Sequence, residues 1–317
     1  MWTLRCLQGV AFLTPRIPAQ IGYAICWIIG VTLAVANAPA RRHVLSNLRR
    51  VVPHAGPLQR RWHALRVFVT VVTNYYDLIR LGTVDRTRIR DLFEVQGWEH
   101  LESALAAGRG VIILSAHVGN YNVVPSYPAA LGYPTAVVAE RVHPEPLFDY
   151  VSRLRATLGV EVVPPGSEAL RPIVRLLRRN GILLVAADRD VAGNGIPVPL
   201  FGEPTRLPTG PVLLAMRTGA ALVPAATLRR RNRPSLAFIE PAIELVRTDD
   251  WEADLRANLR QMARALERMI ARDPGQWGVL QPVWDNPPRT VARLPWATRP
   301  APVSDHEAAS RSASTTR

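Results

Sequence analysis

Lysine is absent from this 317-residue chain, so all 39 residues counted as lysine or arginine are arginines. This absence excludes a lysine Schiff base and the phosphate-binding lysine of a P-loop. The guanidinium group that replaces it is a planar fork suited to phosphate and carboxylate ligands. A GC-rich genome also exchanges lysine for arginine throughout, so the absence alone does not define a ligand.

Cysteine is scarce as well, because Cys6 and Cys26 are the only two and both lie in the apolar N-terminal part. They cannot form a disulfide framework or a zinc motif, so we expect a reducing, cytosol-facing location. The seven histidines are widely separated. No G-x-S-x-G is present, and Gly193-Asn194-Gly195 lacks the third glycine of a dinucleotide fingerprint. We therefore expect no metal, no cofactor and no serine hydrolase.

The formal net charge of +14 favours an anionic partner. The arginines are spread over predicted helices and no nucleic-acid-binding motif occurs, so we expect membrane lipids rather than nucleic acid. Residues 17–40 carry no charge and are flanked by arginines. This segment is long enough to span a bilayer, but its prolines and glycines favour a position in the membrane surface. The alternative is a buried core helix.

The pattern divides the chain into a helical, membrane-associating region at 1–92, an α/β domain at 93–286 and a disordered tail at 287–317. Alternating short apolar runs and amphipathic stretches predict a mostly parallel central sheet flanked by helices. The predicted strands are Gly110–Ala116, Ala136–Ala139, Val160–Val163, Ile182–Ala187, Ala221–Ala226, Leu236–Glu240 and Ala242–Val246. The predicted helices include Leu58–Leu81, Glu145–Leu158, Leu170–Arg179, Leu207–Thr218 and Asp249–Arg272.

Polar clusters follow two of these strands, at the ends where ligands gather in α/β sheets. One is Ser115–Asn122 and the other is Asp188–Gly195. His117 leaves a buried strand and enters a Gly-Asn turn, from which the side chain of residue 122 is expected to fold back to the imidazole. An imidazole held in this way is a candidate general base. The alternative is a structural histidine that caps a helix.

The segment GRGVIILSAHVGNYN resembles the first motif of the lysophospholipid acyltransferase superfamily, and more narrowly that of the bacterial lipid A and phosphatidylinositol mannoside acyltransferases. Further segments resemble later motifs of that branch in the same order: VVAER, LRATLGVEVVP, ALRPIVRLLRRNGILLVAADRD, PVPLFGEPTRLPTGPVLLAMRTGAALVPA and QWGVLQPVW. The resemblance implies a glycerol-3-phosphate acyltransferase-like fold. It also implies transfer of an acyl chain from acyl-CoA or acyl carrier protein to a membrane glycolipid, at the cytoplasmic face of the cell membrane.

The family places an acid five residues after the histidine, where this chain has Asn122. An amide can fix the tautomer of His117 but cannot supply the charge that stabilises an imidazolium. Glu140, Asp188 and Asp190 are therefore candidate substitute acids. Slower catalysis, a non-catalytic relative and a histidine that works without a carboxylate because substrate binding supplies most of the rate are the alternatives.

The resemblance also implies roles for other residues. The backbone N–H groups of Gly119 and Asn120 would stabilise an oxyanion, and Phe201 and Thr205 would shape the acceptor or acyl site. Substrate contacts fall to Glu140, Arg141, Arg155, Asp188 and Arg189, of which the arginines would bind phosphate or anionic sugars. A surface salt bridge is the alternative for each arginine.

Three functional hypotheses follow. The first is a catalytic O-acyltransferase or N-acyltransferase of a glycolipid, with His117 as the base. The second is a non-catalytic protein that binds lipid or acyl-CoA, and the third is a basic structural protein of the membrane surface. The segments DRDVAGNG and FGEPTRLPTGP favour an acceptor of the phosphatidylinositol mannoside type over a lipid A precursor.

Overall fold

The computed structural model describes residues 16–82, 84–140, 145–164 and 166–284. Arg141 and the tail predicted for 287–317 lie outside these ranges. Within them, a group of N-terminal helices precedes an α/β layer in which strands and helices alternate.

The N-terminal group consists of α1 (Ala19–Ala36), α2 (Ala38–Val51) and α3 (Pro57–Leu81). Helix α1 is long and apolar enough to cross a membrane by length and composition, yet few of its residues are buried. Its buried positions are all small: Gly22, Cys26, Gly30 and Ala34. A Cβ on Gly30 would come within 2.7 Å of the Val69 backbone, which shows how closely α1 approaches α3. The large apolar side chains of α1 face outward, so α1 is not a buried core helix.

The α/β layer confirms the predicted fold class. Its main sheet, within the described residues, has the strand order β1-β9-β8-β2-β5-β3-β4, and only the β8–β9 pairing is antiparallel. The strands are β1 (Phe93–Gln96), β2 (Val111–Ser115), β3 (Thr135–Val138), β4 (Val160–Val163), β5 (Ile182–Ala186), β6 (Ile196–Leu200), β7 (Glu203–Leu207), β8 (Ala221–Leu228) and β9 (Ser235–Ile239). The helices are α4 (Trp98–Ala106), α5 (Ser126–Ala130), α6 (Glu145–Thr157), α7 (Leu170–Arg178), α8 (Gly210–Thr218) and α9 (Trp251–Arg272).

The centre of the sheet is apolar on both faces. Strands β2 and β5 pair in parallel, with Ser115 opposite Ala186 at their carboxyl ends. Helices α7, α8 and α9 cover one face, and α4 packs on the other. Helix α9 begins after Asp250, whose carboxylate accepts the N–H groups of Glu252 and Ala253 at 3.1 and 3.0 Å. This rigid centre fixes the positions of the residues that follow β2 and β5.

The prediction of a strand at Ala242–Val246 is wrong. The segment runs beside β8 without forming a ladder: Glu240 donates to the Pro224 carbonyl and Ile243 to the Leu222 carbonyl, each at 2.8 Å. Pro241 has no N–H to contribute between them. The side chain of Asn258 on α9 instead brackets Val246, accepting from its N–H at 2.8 Å and donating to its carbonyl at 2.9 Å.

The proline-rich segment before α8 forms the hairpin β6–β7. Phe201 and Gly202 both have positive φ angles (49° and 80°), as the two central residues of a type I′ turn require. Proline is disfavoured in a strand that is paired on both sides, because it has no N–H to donate. In a two-stranded ribbon each strand has one unpaired edge, where proline is tolerated. Residue 207 therefore ends a strand, and the predicted helix from Leu207 begins only at Gly210.

Candidate active site

His117 and Asp188 meet beyond the carboxyl ends of the adjacent strands β2 and β5. The His117 Nδ1 atom lies 2.7 Å from Asp188 Oδ1. The backbone N–H of His117 donates to Asp188 Oδ2 at 3.1 Å, and the indole N–H of Trp277 donates to the same oxygen at 2.7 Å. The carboxylate is thus held by three donors from two separate parts of the chain.

The charge state of Asp188 follows from this environment. Burial alone would raise the pKa of the fully buried carboxyl. The charge and ring N–H of His117, the Trp277 indole and the His117 amide outweigh burial and lower the pKa to about 2. Asp188 is therefore ionised at neutral pH and acts only as an acceptor.

An ionised Asp188 determines the tautomer of His117. Because the carboxylate only accepts, the proton of a neutral imidazole is on Nδ1 and the lone pair is on Nε2. The imidazole side chain is 24% exposed, and Tyr121 packs against it edge-on with ring centroids 5.0 Å apart. This arrangement can accept a proton from a hydroxyl group and stabilise the imidazolium that forms.

Asn122 does not take the place expected from the spacing. Its side-chain oxygen accepts a hydrogen bond at 2.9 Å from Arg155 on α6, while Asp188 occupies Nδ1 of His117. Burial lowers the pKa of the Arg155 guanidinium, whose Nε–H is buried without an acceptor among the described residues. Arg155 is therefore a cation close to Tyr121. It is hydrogen-bonded to the amide of Asn122, at the position where the resembling acyltransferases have an acidic residue.

Gly119 and Asn120 do not offer their backbone N–H groups to an oxyanion, contrary to expectation. Gly119 donates to the Gln276 carbonyl at 3.0 Å, and Asn120 donates to the Thr227 hydroxyl at 2.7 Å. Gly119 has a φ of +64°, and a Cβ there would lie 2.0 Å from the Thr227 carbonyl oxygen. These hydrogen bonds hold the loop that carries His117. Position 119 needs glycine because its φ is positive and because a side chain there would collide with the Thr227 backbone.

The other expected acids and arginines lie in different surroundings. Asp190 accepts the N–H groups of Gly193 and Gly195, each at 2.9 Å, and so organises the loop after β5. Glu140 is exposed beyond the end of β3. Burial raises the pKa of Tyr121, and the charge of the half-buried Arg189 opposes this shift. Of the three substitute acids considered, Asp188 is thus the one in contact with His117.

Phe201 and Thr205 lie on the β6–β7 hairpin, where they make structural contacts. The Phe201 N–H donates to Glu267 on α9 at 2.5 Å, and its ring packs against Trp284 with centroids 6.5 Å apart. The buried Thr205 hydroxyl donates to the Val283 carbonyl at 2.6 Å. The hairpin therefore fastens the 276–284 segment to the α/β layer.

Several residues that hold the site were missed from the sequence. Trp277 and Gln276 lie in the segment QWGVLQPVW, whose resemblance to a family motif does not indicate that it contributes to the site. Asn74 on α3 donates to the Gly119 carbonyl at 2.7 Å, and Thr227 lies at the end of β8. Neither stands in a motif, so no local signal could identify them.

An apolar cavity of about 40 Å³ lies in the sheet face that faces α4. Ser115, two residues before His117, contributes to its wall, and so does Val124 from the loop after His117. The other lining residues include Trp98, Tyr127, Ala225 and Phe238. The cavity therefore extends inward from the strand end that carries His117.

A mostly parallel α/β sheet with the His117 motif at the end of a central strand places the protein among the acyltransferases. More narrowly, a family model of the bacterial lipid A biosynthesis acyltransferases matches residues 2–286, and the chain belongs to that family. The match confirms the family suggested by the ordered motifs.

The similar proteins include phosphatidylinositol mannoside acyltransferases and lipid A acyltransferases. A phosphatidylinositol mannoside acyltransferase of Mycobacterium tuberculosis (strain ATCC 25618 / H37Rv) is 32% identical over 290 residues, covering 85% of this chain and 89% of that protein. One of Mycolicibacterium smegmatis (strain ATCC 700084 / mc(2)155) is 29% identical, covering 86% and 95%. The lipid A biosynthesis palmitoleoyltransferase of Escherichia coli (strain K12) is 26% identical over 195 residues, covering 60% and 61%.

Proposed function

We propose that the protein transfers a fatty acyl chain from acyl-CoA or acyl carrier protein to a hydroxyl group of a membrane glycolipid, with His117 as the general base. The observation that carries this proposal is the contact of 2.7 Å between His117 Nδ1 and the ionised Asp188. The non-catalytic alternative rested on Asn122, and it loses its main support because Asp188 supplies the missing charge.

The reaction proceeds by direct transfer. Nε2 of His117 removes the proton from the acceptor hydroxyl, whose oxygen attacks the thioester carbonyl carbon. The tetrahedral intermediate collapses with cleavage of the C–S bond, and the leaving sulfur takes the proton from the imidazolium. Asp188 stays ionised and stabilises that imidazolium. The products are an ester and a free thiol.

The acceptor is proposed to be of the phosphatidylinositol mannoside type. The two mycobacterial relatives, named for that activity, are 32% and 29% identical to this chain over 290 and 296 residues, whereas the palmitoleoyltransferase is 26% identical over 195 residues. A phosphate-bearing acceptor also suits a cationic site, in which Arg155 and Arg189 both lie near Tyr121. A lipid A precursor is the other acceptor to be tested.

The N-terminal helices are proposed to dock on the cytoplasmic face of an anionic membrane. Helix α1 exposes Ile21, Trp27 and Val35, and Arg42 and Arg49 on α2 are exposed beside it. Apolar side chains and a basic flank together match the surface of an anionic bilayer. Helix α1 packs along α3, which bears arginines, so insertion of α1 across the bilayer would carry these charges with it. A position in the surface is therefore favoured over a span.

The proposed function is tested by incubating the purified full-length chain with radiolabelled acyl-CoA or acyl carrier protein thioester. Mannosylated phosphatidylinositol and a lipid A precursor are supplied in separate vesicles. We expect a radiolabelled ester on the mannosylated lipid, released as fatty acid by mild alkali. If neither lipid is acylated from either donor, the proposed function is wrong.

Replacing Asn122 with aspartate is expected to weaken acceptor binding rather than to accelerate catalysis. The new carboxylate would pair with Arg155, which already contacts residue 122, and would neutralise a cation of the site. We expect kcat to change by less than about threefold. The KM for the phosphate-bearing acceptor should rise about tenfold, the effect of weakening one charge-assisted hydrogen bond.

Asn232→Asp is the matched control, because it adds the same charge in an exposed turn between β8 and β9. It should leave both constants unchanged. Steady-state kinetics with the mannosylated acceptor measure them. An Asn122→Asp variant with a kcat at least ten times that of the wild type would show that residue 122 acts on His117 after all.

The apolar cavity is proposed to receive part of the acyl chain. Replacing Ala225, a β8 residue in its wall, with leucine should fill it and lower kcat/KM for long-chain donors about tenfold relative to short ones. Ala253→Leu on the exposed face of α9 is the control. A competition assay with donors of mixed chain length measures the ratio, and equal losses for every chain length would contradict this assignment.

A further inference from the structure

A chain of polar side chains connects α1 to the loop that carries His117. The Tyr23 hydroxyl on α1 donates to Asp77 Oδ1 on α3 at 2.9 Å. The other Asp77 oxygen accepts from Nη1 of Arg229, which follows β8. Nη2 of Arg229 donates to the Asn120 side-chain oxygen at 3.0 Å. Asn120 stands three residues after His117, so four side chains join the apolar helix to the catalytic loop.

The charged pair within this chain is largely withdrawn from water. The side chain of Asp77 is 8% exposed and that of Arg229 is 19% exposed. Each charge depends on the other, because an unpaired charge in such a place is costly. The pair is therefore a rigid connection between α3 and Asn120.

A second set of contacts attaches the same loop to Arg229. The Arg229 N–H donates to Gln276 Oε1 at 2.7 Å, and Gln276 Nε2 donates back to the Arg229 carbonyl at 3.1 Å. The Gln276 carbonyl accepts from Gly119. A displacement of Arg229 would therefore reach the loop by two routes, through Asn120 and through Gly119.

The series of hydrogen bonds starts on α1, a helix that packs closely along α3 but buries few of its own residues. The face of α1 against α3 consists of small residues, while its large apolar side chains are exposed. A Cβ on Gly22, next to Tyr23, would lie 2.0 Å from the Tyr76 hydroxyl. The two helices are therefore close together here, although few residues of α1 are buried between them. Seating the exposed face in lipid would hold α1 against α3 and so fix Tyr23 over Asp77.

We propose that Tyr23, Asp77 and Arg229 are positioning residues that couple the seating of α1 on a lipid bilayer to the placement of the His117 loop. The proposal rests on the proposed role of His117 as general base. Lipid contact orders the loop through the chain of hydrogen bonds, and turnover rises as a result.

The test compares wild type and Tyr23→Phe, which keeps the ring and removes the hydroxyl. Hydrogen exchange of residues 117–122 is measured with and without vesicles of phosphatidylcholine and phosphatidylglycerol. We expect vesicles to slow exchange in the wild-type loop, and at least half of this protection to be lost in Tyr23→Phe. Vesicle binding, measured by co-sedimentation, should be the same for both proteins.

Activity gives a second measurement. We expect kcat on vesicle-borne acceptor to fall about fivefold in Tyr23→Phe with KM unchanged, the effect of one hydrogen bond. Asp77→Asn, which breaks the pair with Arg229, should lose the vesicle effect entirely. Tyr133→Phe, whose ring packs against Trp98 away from this chain, should behave as wild type.

Equal loop protection in wild type and Tyr23→Phe would overturn the coupling, whatever the activity. A wild type that transfers no acyl group refutes the proposed function instead, and the exchange measurement still decides the coupling. The two failures are thereby distinguishable.

Discussion

Replacing Asp188 with asparagine is expected to lower kcat by about 10³- to 10⁴-fold without unfolding the protein. The amide can accept from His117 Nδ1 with its oxygen or donate to it with its nitrogen, but it provides no negative charge. When it donates, the imidazole proton moves to Nε2, which then cannot act as a base. The analogous change in a serine protease costs about 10⁴ in turnover. Steady-state kinetics at neutral pH measure the loss.

The variant also tests the charge state of Asp188. A carboxyl whose pKa is depressed to about 2 in the folded protein contributes stability above its ordinary range near 3.8. This contribution is lost as pH falls from about 4 through 2. Asp188→Asn should lack it, so its free energy of unfolding should fall less steeply over that interval. Urea unfolding between pH 7 and about pH 2 measures the difference.

Asp249→Asn provides the control, because Asp249 is exposed just before the N-cap of α9. It removes a carboxylate without touching the site and should leave kcat unchanged. If Asp188→Asn keeps more than a tenth of the wild-type kcat, the charge beside His117 is not needed for the reaction.

The residues of this pair could be identified from the sequence, but their pairing could not. The polar clusters Ser115–Asn122 and Asp188–Gly195 are recognisable in the sequence because each lies at the end of an apolar strand. That β2 and β5 are neighbours depends on the strand order, which local patterns do not determine. Once the two strands pair with Ser115 opposite Ala186, the residues two positions further on come together. The five-residue spacing to Asn122 instead suggested a partner within the same loop.

The contacts that stabilise the site are the hardest to predict from sequence patterns. Asn74 and Gly119 are 45 residues apart, and Trp277 and Asp188 are 89 apart. Such pairs meet because helices and strands pack, so their side chains look like ordinary polar residues in the sequence. The family motifs did mark the Trp277 segment, but they gave no reason for it. The structure supplies that reason, since the indole N–H is one of three donors to Asp188.

Replacing His117 with alanine is expected to lower kcat to the same level as Asp188→Asn. General-base catalysis by a positioned histidine contributes about 10²- to 10⁴-fold, and both variants remove all of it. What remains is the rate due to binding the two substrates side by side. Kinetics with mannosylated acceptor measure the residual rate, and His117→Gln, which keeps a polar side chain beside Asp188, controls for loss of folding.

The double variant decides whether the two residues act as a unit. If Asp188 acts only through His117, then His117→Ala combined with Asp188→Asn should be no slower than His117→Ala alone, since residues of one catalytic unit are strongly non-additive. In the measurement of stability, the second substitution should compensate for the first. His117→Ala leaves the buried Asp188 charge short of a donor, at a cost of about 1 to 3 kcal/mol, and Asp188→Asn in the same chain removes that charge. A double variant that is slower than both single variants, or less stable than His117→Ala, would mean that Asp188 has a role independent of His117.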